Sequence, residues 1–131
     1  MSRVLGLHHV SFVVRDTARS LAFYRDLLGL EVDPGRPDLG YPGAWLRCGD
    51  QQIHLLELPN VDPVEGRPAH VGRDRHAAFR VEDIDAFERL LNDAGVSFTR
   101  SRSGRRAIFC RDPDGNGLEL IQNPGSDPSF G

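Results

Sequence analysis

His9, His54, His76 and Glu119 are the residues of this chain whose types and spacing could do chemistry together. Imidazole nitrogen and carboxylate oxygen are good ligands for Zn, Ni, Fe, Co or Mn, and the lack of a thiolate among the four argues against a closed structural zinc site. Four protein ligands leave two places in an octahedral shell. A small molecule carrying two adjacent oxygens fills both, and one divalent metal ion then acts on it as a Lewis acid. Glu119, the only carboxylate of the set, is also the candidate catalytic base, because a carboxylate that loosens from a metal can take a proton beside the activated carbon.

What must bring these four residues together is an internal repeat. The segment His9-Val-Ser-Phe-Val-Val-Arg-Asp16 returns 67 residues later as His76-Ala-Ala-Phe-Arg-Val-Glu-Asp83, with His, Phe, Val and Asp in step. In each copy alternate positions are apolar (Val10, Phe12, Val14; Ala77, Phe79, Val81), which predicts a strand with its apolar side toward a helix and its His on the other face. Asp16 and Asp83 are placed as helix N-caps. A helix should run from Thr17 with the stripe Leu21, Tyr24, Leu27 and Leu28, and another from Ile84 with Phe87, Leu90, Leu91 and Ala94. Gly29 and Gly95 end them, since glycine takes the left-handed conformation without steric cost. Short strands at 30–32 and 96–98 should follow.

The later parts of the copies match as well. The runs 44–48 and 52–56 read as two strands joined at Gly49, and 107–110 and 117–121 as two strands joined by the turn Asp112-Pro-Asp-Gly-Asn116. That turn has a structural task, which is to set the register that aims Glu119 inward. His54 lies between Ile53 and Leu55, and Glu119 between Leu118 and Leu120, so each projects away from its apolar neighbours. A pseudo-twofold axis then makes His9 equivalent to His76 and His54 equivalent to Glu119, with all four on one face of a sheet-lined cavity. If His54 is not a ligand, it remains an acid or base beside the metal.

The expected fold class is α+β: two βαβββ modules forming a paired, cupped mixed sheet around a metal-binding cavity. Module one covers about residues 5–58 and module two about 76–122. The connector 59–75, rich in Pro, Gly and charge, joins them, and a tail covers 123–131. The connector is long enough for the modules to pair within one chain or to be exchanged between two.

A length of 131 residues with 39% hydrophobic content allows one ordinary core and hence a single domain. A net charge of −3 with scattered basic residues excludes nucleic acid as the expected partner. No apolar run is long enough to span a bilayer, and Met1–Gly6 is too short and polar for a signal peptide, so no membrane association and a cytoplasmic location are expected. Cys48 and Cys110 sit in apolar runs and read as buried reduced thiols.

The His-at-strand-start and Glu-at-strand-end pattern, the run DPDGNGLEL at 112–120 and the paired strand-helix-strands layout together resemble the vicinal oxygen chelate superfamily. That superfamily includes glyoxalase I, methylmalonyl-CoA epimerase, extradiol dioxygenases and fosfomycin-resistance enzymes. The resemblance covers roughly residues 7–122. It implies that His9 and His76 match the ligands of the first strands, that Glu119 matches the carboxylate of the last strand, and that His54 stands where glyoxalase I has a Glu. The runs YPGAWL and IHLLE are most similar to a glyoxalase-like branch. The implied activity is that of a metal-dependent glyoxalase-like lyase or isomerase. Alternatives are an iron-using extradiol dioxygenase, against which the extra His54 counts, and a drug-sequestering protein resembling bleomycin-resistance proteins, which lack the metal ligands. Where a glutathione-dependent glyoxalase I has an Arg and an Asn that hold glutathione, this chain has Val13 and Leu58, which argues against that thiol. The expected partners are a small-molecule substrate and a second copy of the chain in a homodimer.

Other polar residues have plainer readings. His8 shares a face with Val10 and Phe12, meets Arg75 as its counterpart in the second copy, and is read as structural. His70 should be solvated and Glu57 should lie on the surface. Arg100, Arg102, Arg105 and Arg106 form a solvated loop or a lid that recruits an anionic substrate. Trp45 and Phe109 line the cavity or, the favoured reading, pack in the core.

Overall fold

The computed structural model describes residues 2–126. The chain divides into two compact units, one up to Asp62 and the other from Pro63 onward. The expected tail beyond Ser126 lies outside the described residues. The architecture is α+β, with a four-stranded mixed sheet in each unit. No helix among the described residues is long and apolar enough to cross a membrane.

In the first unit, β1 (His9–Val14) pairs parallel with β4 (Gln51–Glu57), β4 pairs antiparallel with β3 (Gly43–Cys48), and β3 with β2 (Glu31–Asp33). The second unit repeats the order: β5 (His76–Val81), β8 (Gly117–Gln122), β7 (Ala107–Arg111) and β6 (Phe98–Arg100). Alternation along β1 places Phe12 and Val14 in the core and leaves His9 and Ser11 outside it. Ile53 and Leu55 of β4 and Leu46 of β3 complete that core. In the second unit Leu118, Leu120 and Ile108 are almost wholly buried, as is Leu91 of α2 (Ile84–Asp93).

The two helices begin as the repeat predicts and then differ. Asp16 and Asp83 each turn a carboxylate back onto the first-turn amides, through Arg19 N in one case and through Asp85 N and Ala86 N in the other. α1 keeps α geometry only over Thr17–Leu21 and widens into a π-helical segment at Ala22–Leu27, where a single α-helix was expected. There Leu28 N–H reaches back five residues to the Phe23 carbonyl and Leu30 N–H six residues to that of Tyr24. The cause is the consecutive pair Phe23 and Tyr24, both buried, with Tyr24 stacked on Phe12. A regular helix turns neighbouring side chains about 100° apart, and the wider turn lets both aromatics reach the sheet. α2 ends conventionally: Gly95 has φ +71, and Val96 and Gly95 N–H close on the carbonyls of Leu91 and Asn92. Leu90, expected in its apolar stripe, is 37% exposed, and the buried stripe is Ile84 and Leu91 with the half-buried Phe87 between them.

A second symmetric device ties each helix to the last strand of its unit. The Glu57 carboxylate accepts from Thr17 N at 2.7 Å and the Gln122 amide oxygen accepts from Ile84 N at 2.9 Å. Glu57, expected on the surface, therefore caps a helix end whose amides would otherwise lack acceptors. The connector is likewise more ordered than its composition suggests. Val71–Arg73 forms a 3-10 turn with Val71 buried, and His70, expected to be solvated, bonds Thr99 Oγ1 at 2.8 Å and packs edge-on against Phe109.

Cys48 and Cys110 are both unbonded to one another and carry thiols pushed up by burial, Cys110 to about 12. Gln122, 5% exposed, also donates to the carbonyls of Glu82 and Asn123. Replacing Gln122 with Leu keeps the volume and strands these backbone groups, so the variant should lose about 1–3 kcal/mol of stability in urea denaturation. An unchanged midpoint would show that the bonds contribute nothing net.

Candidate metal-ligand pairs

The parallel pairing of first and last strands decides which side chains meet. In the second unit β5 and β8 run in register with Ala78 opposite Glu119 and His76 opposite Gly117. His76 and Glu119 thus share a face, and Nε2 of His76 lies 3.1 Å from Oε1 of Glu119. Gly117 makes room for this, because a Cβ there would lie 2.8 Å from both the Arg75 carbonyl oxygen and Val71 Cγ1. The register itself is locked by the turn at 112–116. The Asp112 carboxylate accepts from the amides of Asp114 and Asn116 and from the Asn116 side chain, and Gly115 takes φ +84.

His76 has a fixed proton. Its Nδ1 lies 2.7 Å from the backbone carbonyl of Asp74, which can only accept, so Nδ1 carries a hydrogen and Nε2 is the nitrogen turned to Glu119. Asp74 is itself clamped. Its carboxylate accepts from Arg67 Nε at 3.1 Å and Arg111 Nη1 at 3.0 Å, and Arg111 further donates to the carbonyls of Gly115 and Pro68. Burial raises the Asp74 pKa, and the bonds from Arg111, Arg75 N–H and Arg67 outweigh it and hold the group below the usual carboxylate range. Glu119 is 5% exposed, and its second oxygen, Oε2, is buried with no hydrogen-bond partner.

A buried carboxylate oxygen with no partner is costly unless a cation meets it. The His76 nitrogen beside the other oxygen is a second donor of the type a divalent metal takes. The chemistry of this donor pair therefore fits a divalent metal.

In the first unit the register sets Ser11 and Trp45 either side of His54, and His9 lies on the same face. The His9 and His54 rings stack with centroids 3.9 Å apart and 17° between planes, and His54 stacks in turn on Trp45 at 4.4 Å and 7°. His54 Nε2 lies 2.9 Å from Gln52 Oε1, whose amide nitrogen donates to Asp33 Oδ2. Because the amide oxygen only accepts, His54 carries its hydrogen on Nε2 and its lone pair on Nδ1. Lone pairs of stacked rings lie in near-parallel planes, so joint ligation by His9 and His54 requires one ring to leave the stack. Among the described residues no group of three or more His, Cys, Asp or Glu side chains is gathered as a metal cluster, so His9 with His54 and His76 with Glu119 stand as two pairs.

Several neighbours of these pairs escaped sequence reasoning. Gln52 stands two residues before His54 and Asp74 two before His76, so strand parity could have found the first, whereas the second acts through its backbone. Phe109 is buried as expected, and Trp45 and Phe109 are also the register partners of His54 and Glu119, with Phe109 edge-on to His76. The arginine loop does not stand over the pair in its own unit. Arg100 makes a two-pronged bond to Glu88 and Arg106 pairs with Asp85, both on α2, around a cleft of about 370 Å³ that includes Ile84 and Ile108. Ile108 and Phe109 face opposite ways, so this cleft lies on the helix side of the sheet and Glu119 on the other.

With the geometry in place, comparison with known proteins defines the class. Residues 6–120 match the Glyoxalase/Bleomycin resistance protein/Dioxygenase superfamily. The chain belongs to that family. It is 32% identical over 121 residues to Glyoxylase I 4 of Arabidopsis thaliana, covering 88% of this chain and 69% of that one. A glyoxalase-family crystal structure from Bacillus anthracis is 27% identical, covers 94% of this chain and 98% of its own, and superposes with a TM-score of 0.77. The fold is also that of a variant of FosX from Listeria monocytogenes, solved with Mn(II) and a dihydroxypropylphosphonic acid. That structure is 19% identical, covers 92% and 94% of the two chains, and has a TM-score of 0.73.

Burial, reinforced by the charges of His9, His8 and Arg36, pushes the His54 pKa below its usual value. Its imidazole should therefore titrate below about 6.5 in the metal-free protein when followed by NMR. A midpoint above the usual histidine value would contradict the stacked, partly desolvated ring.

Proposed function

We propose that the chain is a metal-dependent enzyme that uses His9, His54, His76 and Glu119 as ligands of one divalent ion and acts as a glyoxalase-like lyase or isomerase on a small molecule with two adjacent oxygens. The observation that carries this reading is Glu119, whose Oε2 is buried without a partner while its Oε1 lies 3.1 Å from Nε2 of His76. Membership of the family and the Mn(II) held by FosX on the same fold support it.

A divalent ion, when bound, supplies a Lewis acid that withdraws electron density from a carbonyl it touches. The remaining work falls to the chain. Glu119 is a buried carboxylate, and it would take a proton from the carbon next to that carbonyl and return it to the neighbouring one. His76, locked by Asp74, keeps Glu119 from swinging away. Phe109 walls one side of Glu119 and excludes water from it. In the other pair, His54 is kept neutral and ready to donate its lone pair.

The test begins with metal content. Protein purified without a nickel column, loaded and desalted, should retain about one equivalent of divalent metal per chain. Less than about a tenth of an equivalent would sink the reading. Trp45 is the only tryptophan and stacks on His54, so metal loading should also change its emission as that stack rearranges. Oxygen uptake with catechols, in place of isomerisation of an α-ketoaldehyde, would redirect the reading to dioxygenase chemistry. Finally, Glu119→Gln keeps the shape and removes the charge. It should fold normally, lose about tenfold or more in metal affinity, and lose about two orders of magnitude in turnover at saturating metal. Near-normal turnover with metal restored would make Glu119 a ligand only and leave the proton to another group such as His54.

A further inference from the structure

We propose that His8 sets the proton position on His9: its Nδ1 accepts the Nδ1–H of His9 and so leaves Nε2 of His9 bare. The consequence for metal binding rests on the ligand set proposed above, but the hydrogen bond itself does not.

The two Nδ1 atoms lie 2.9 Å apart, and the rings meet edge-on with centroids 5.1 Å apart and 85° between planes. Each neutral imidazole carries one N–H, so one ring donates and the other accepts. If His8 donated, the single hydrogen of His9 would have to sit on Nε2, and neither nitrogen of His9 could offer a lone pair to anything else. If His9 donates, its Nε2 is left as a donor of electrons. The second unit resolves the choice by example. There His76, the repeat equivalent of His9, directs Nδ1 at the Asp74 carbonyl, an acceptor that can never donate, so its Nδ1 carries a hydrogen and Nε2 is the nitrogen turned to Glu119.

The two units thus reach one result by different means. In the second, the 3-10 turn Val71–Arg73 and the clamp on Asp74 bring a backbone carbonyl to the imidazole. Residues 2–8 of the first unit form no such turn, and a side chain stands in for the carbonyl. That side chain has an anchored base, because the His8 carbonyl accepts from Gln52 N at 3.2 Å and extends the β1–β4 ladder by one rung. His8 is therefore a positioning residue, in the way that partners of ligating histidines fix tautomer and ring orientation. Its place in the repeat, opposite Arg75, hides this from a search for matching residue types.

Long-range ¹⁵N correlation NMR on the metal-free protein at about pH 8, where imidazoles are neutral, reads the tautomer directly. Wild type should show His9 protonated at Nδ1. His8→Ala should shift His9 toward the Nε2–H form and weaken Zn(II) affinity by about tenfold, and His8→Asn, whose side-chain carbonyl can accept the same hydrogen, should restore both. His8 is exposed, so these variants should keep the wild-type circular dichroism spectrum. Wild-type His9 protonated at Nε2, or an unchanged tautomer in His8→Ala, overturns the proposal whatever the metal does. If the tautomer behaves as stated and wild type binds no Zn(II) or other divalent ion, the positioning stands and the ligand reading falls.

Discussion

The parallel pairing of first and last strand within each unit is the constraint on which the rest depends. Strand side chains alternate with a period of two, so a slip of one residue between β5 and β8 would send Glu119 into the apolar core and Leu118 or Leu120 to the face of His76. Two devices prevent that slip. The turn around Asp112 closes the β7–β8 hairpin, and Gln122, at the far end of β8, is bonded to the first amide of α2. The same strand end in the first unit carries Glu57 on the first amide of α1. Helix and strand are therefore stapled at a point remote from the chemistry, and the staple is what holds the His and the acidic or imidazole residue on one face.

Protons are placed with similar care. His76 carries its hydrogen on Nδ1 because a carbonyl is there to receive it, and His54 carries its hydrogen on Nε2 because Gln52, itself tied to Asp33, offers only an oxygen. Each arrangement leaves the other nitrogen of the ring as the one that could give its lone pair to a cation. The buried charge in the second unit is balanced at two levels: Arg67 and Arg111 satisfy Asp74, whereas Glu119 has one oxygen with no partner. The contrast matters because both carboxylates are largely buried and only one is left unsatisfied. A polar group that a protein declines to satisfy internally is one that it reserves for something else.

The arginine-rich loop illustrates how local composition misleads. Four arginines within seven residues suggest an anion-binding lid, yet Arg100 and Arg106 are engaged by Glu88 and Asp85 of α2. Those acids border the cleft between α2 and the loop, and nothing in the loop's own residues announces the pairing. The π-helical turn after α1 has a similar origin. Its cause is the demand that Phe23 and Tyr24 both reach the sheet, a demand made by the core and not by the helix.

By itself the sequence determined the repeat, the order of elements in each half and, within each sheet, the face that His9 shares with His54 and that His76 shares with Glu119, because strand periodicity and turn residues are local and leave a direct trace in residue order. It also determined the helix caps, where Asp16 and Asp83 act within three residues of their own positions. Only the tertiary structure decided which groups orient the imidazoles, since Asp74 acts through its backbone carbonyl, Gln52 through an amide rotamer and His8 through a proton shared with its neighbour. Tertiary structure also decided that Glu57 and Gln122 cap helices some 40 residues away in sequence and that Glu119 keeps an unpartnered oxygen. Such contacts depend on where strands from distant parts of the chain come to lie, and hydrogen bonding between distant groups leaves no periodicity to read.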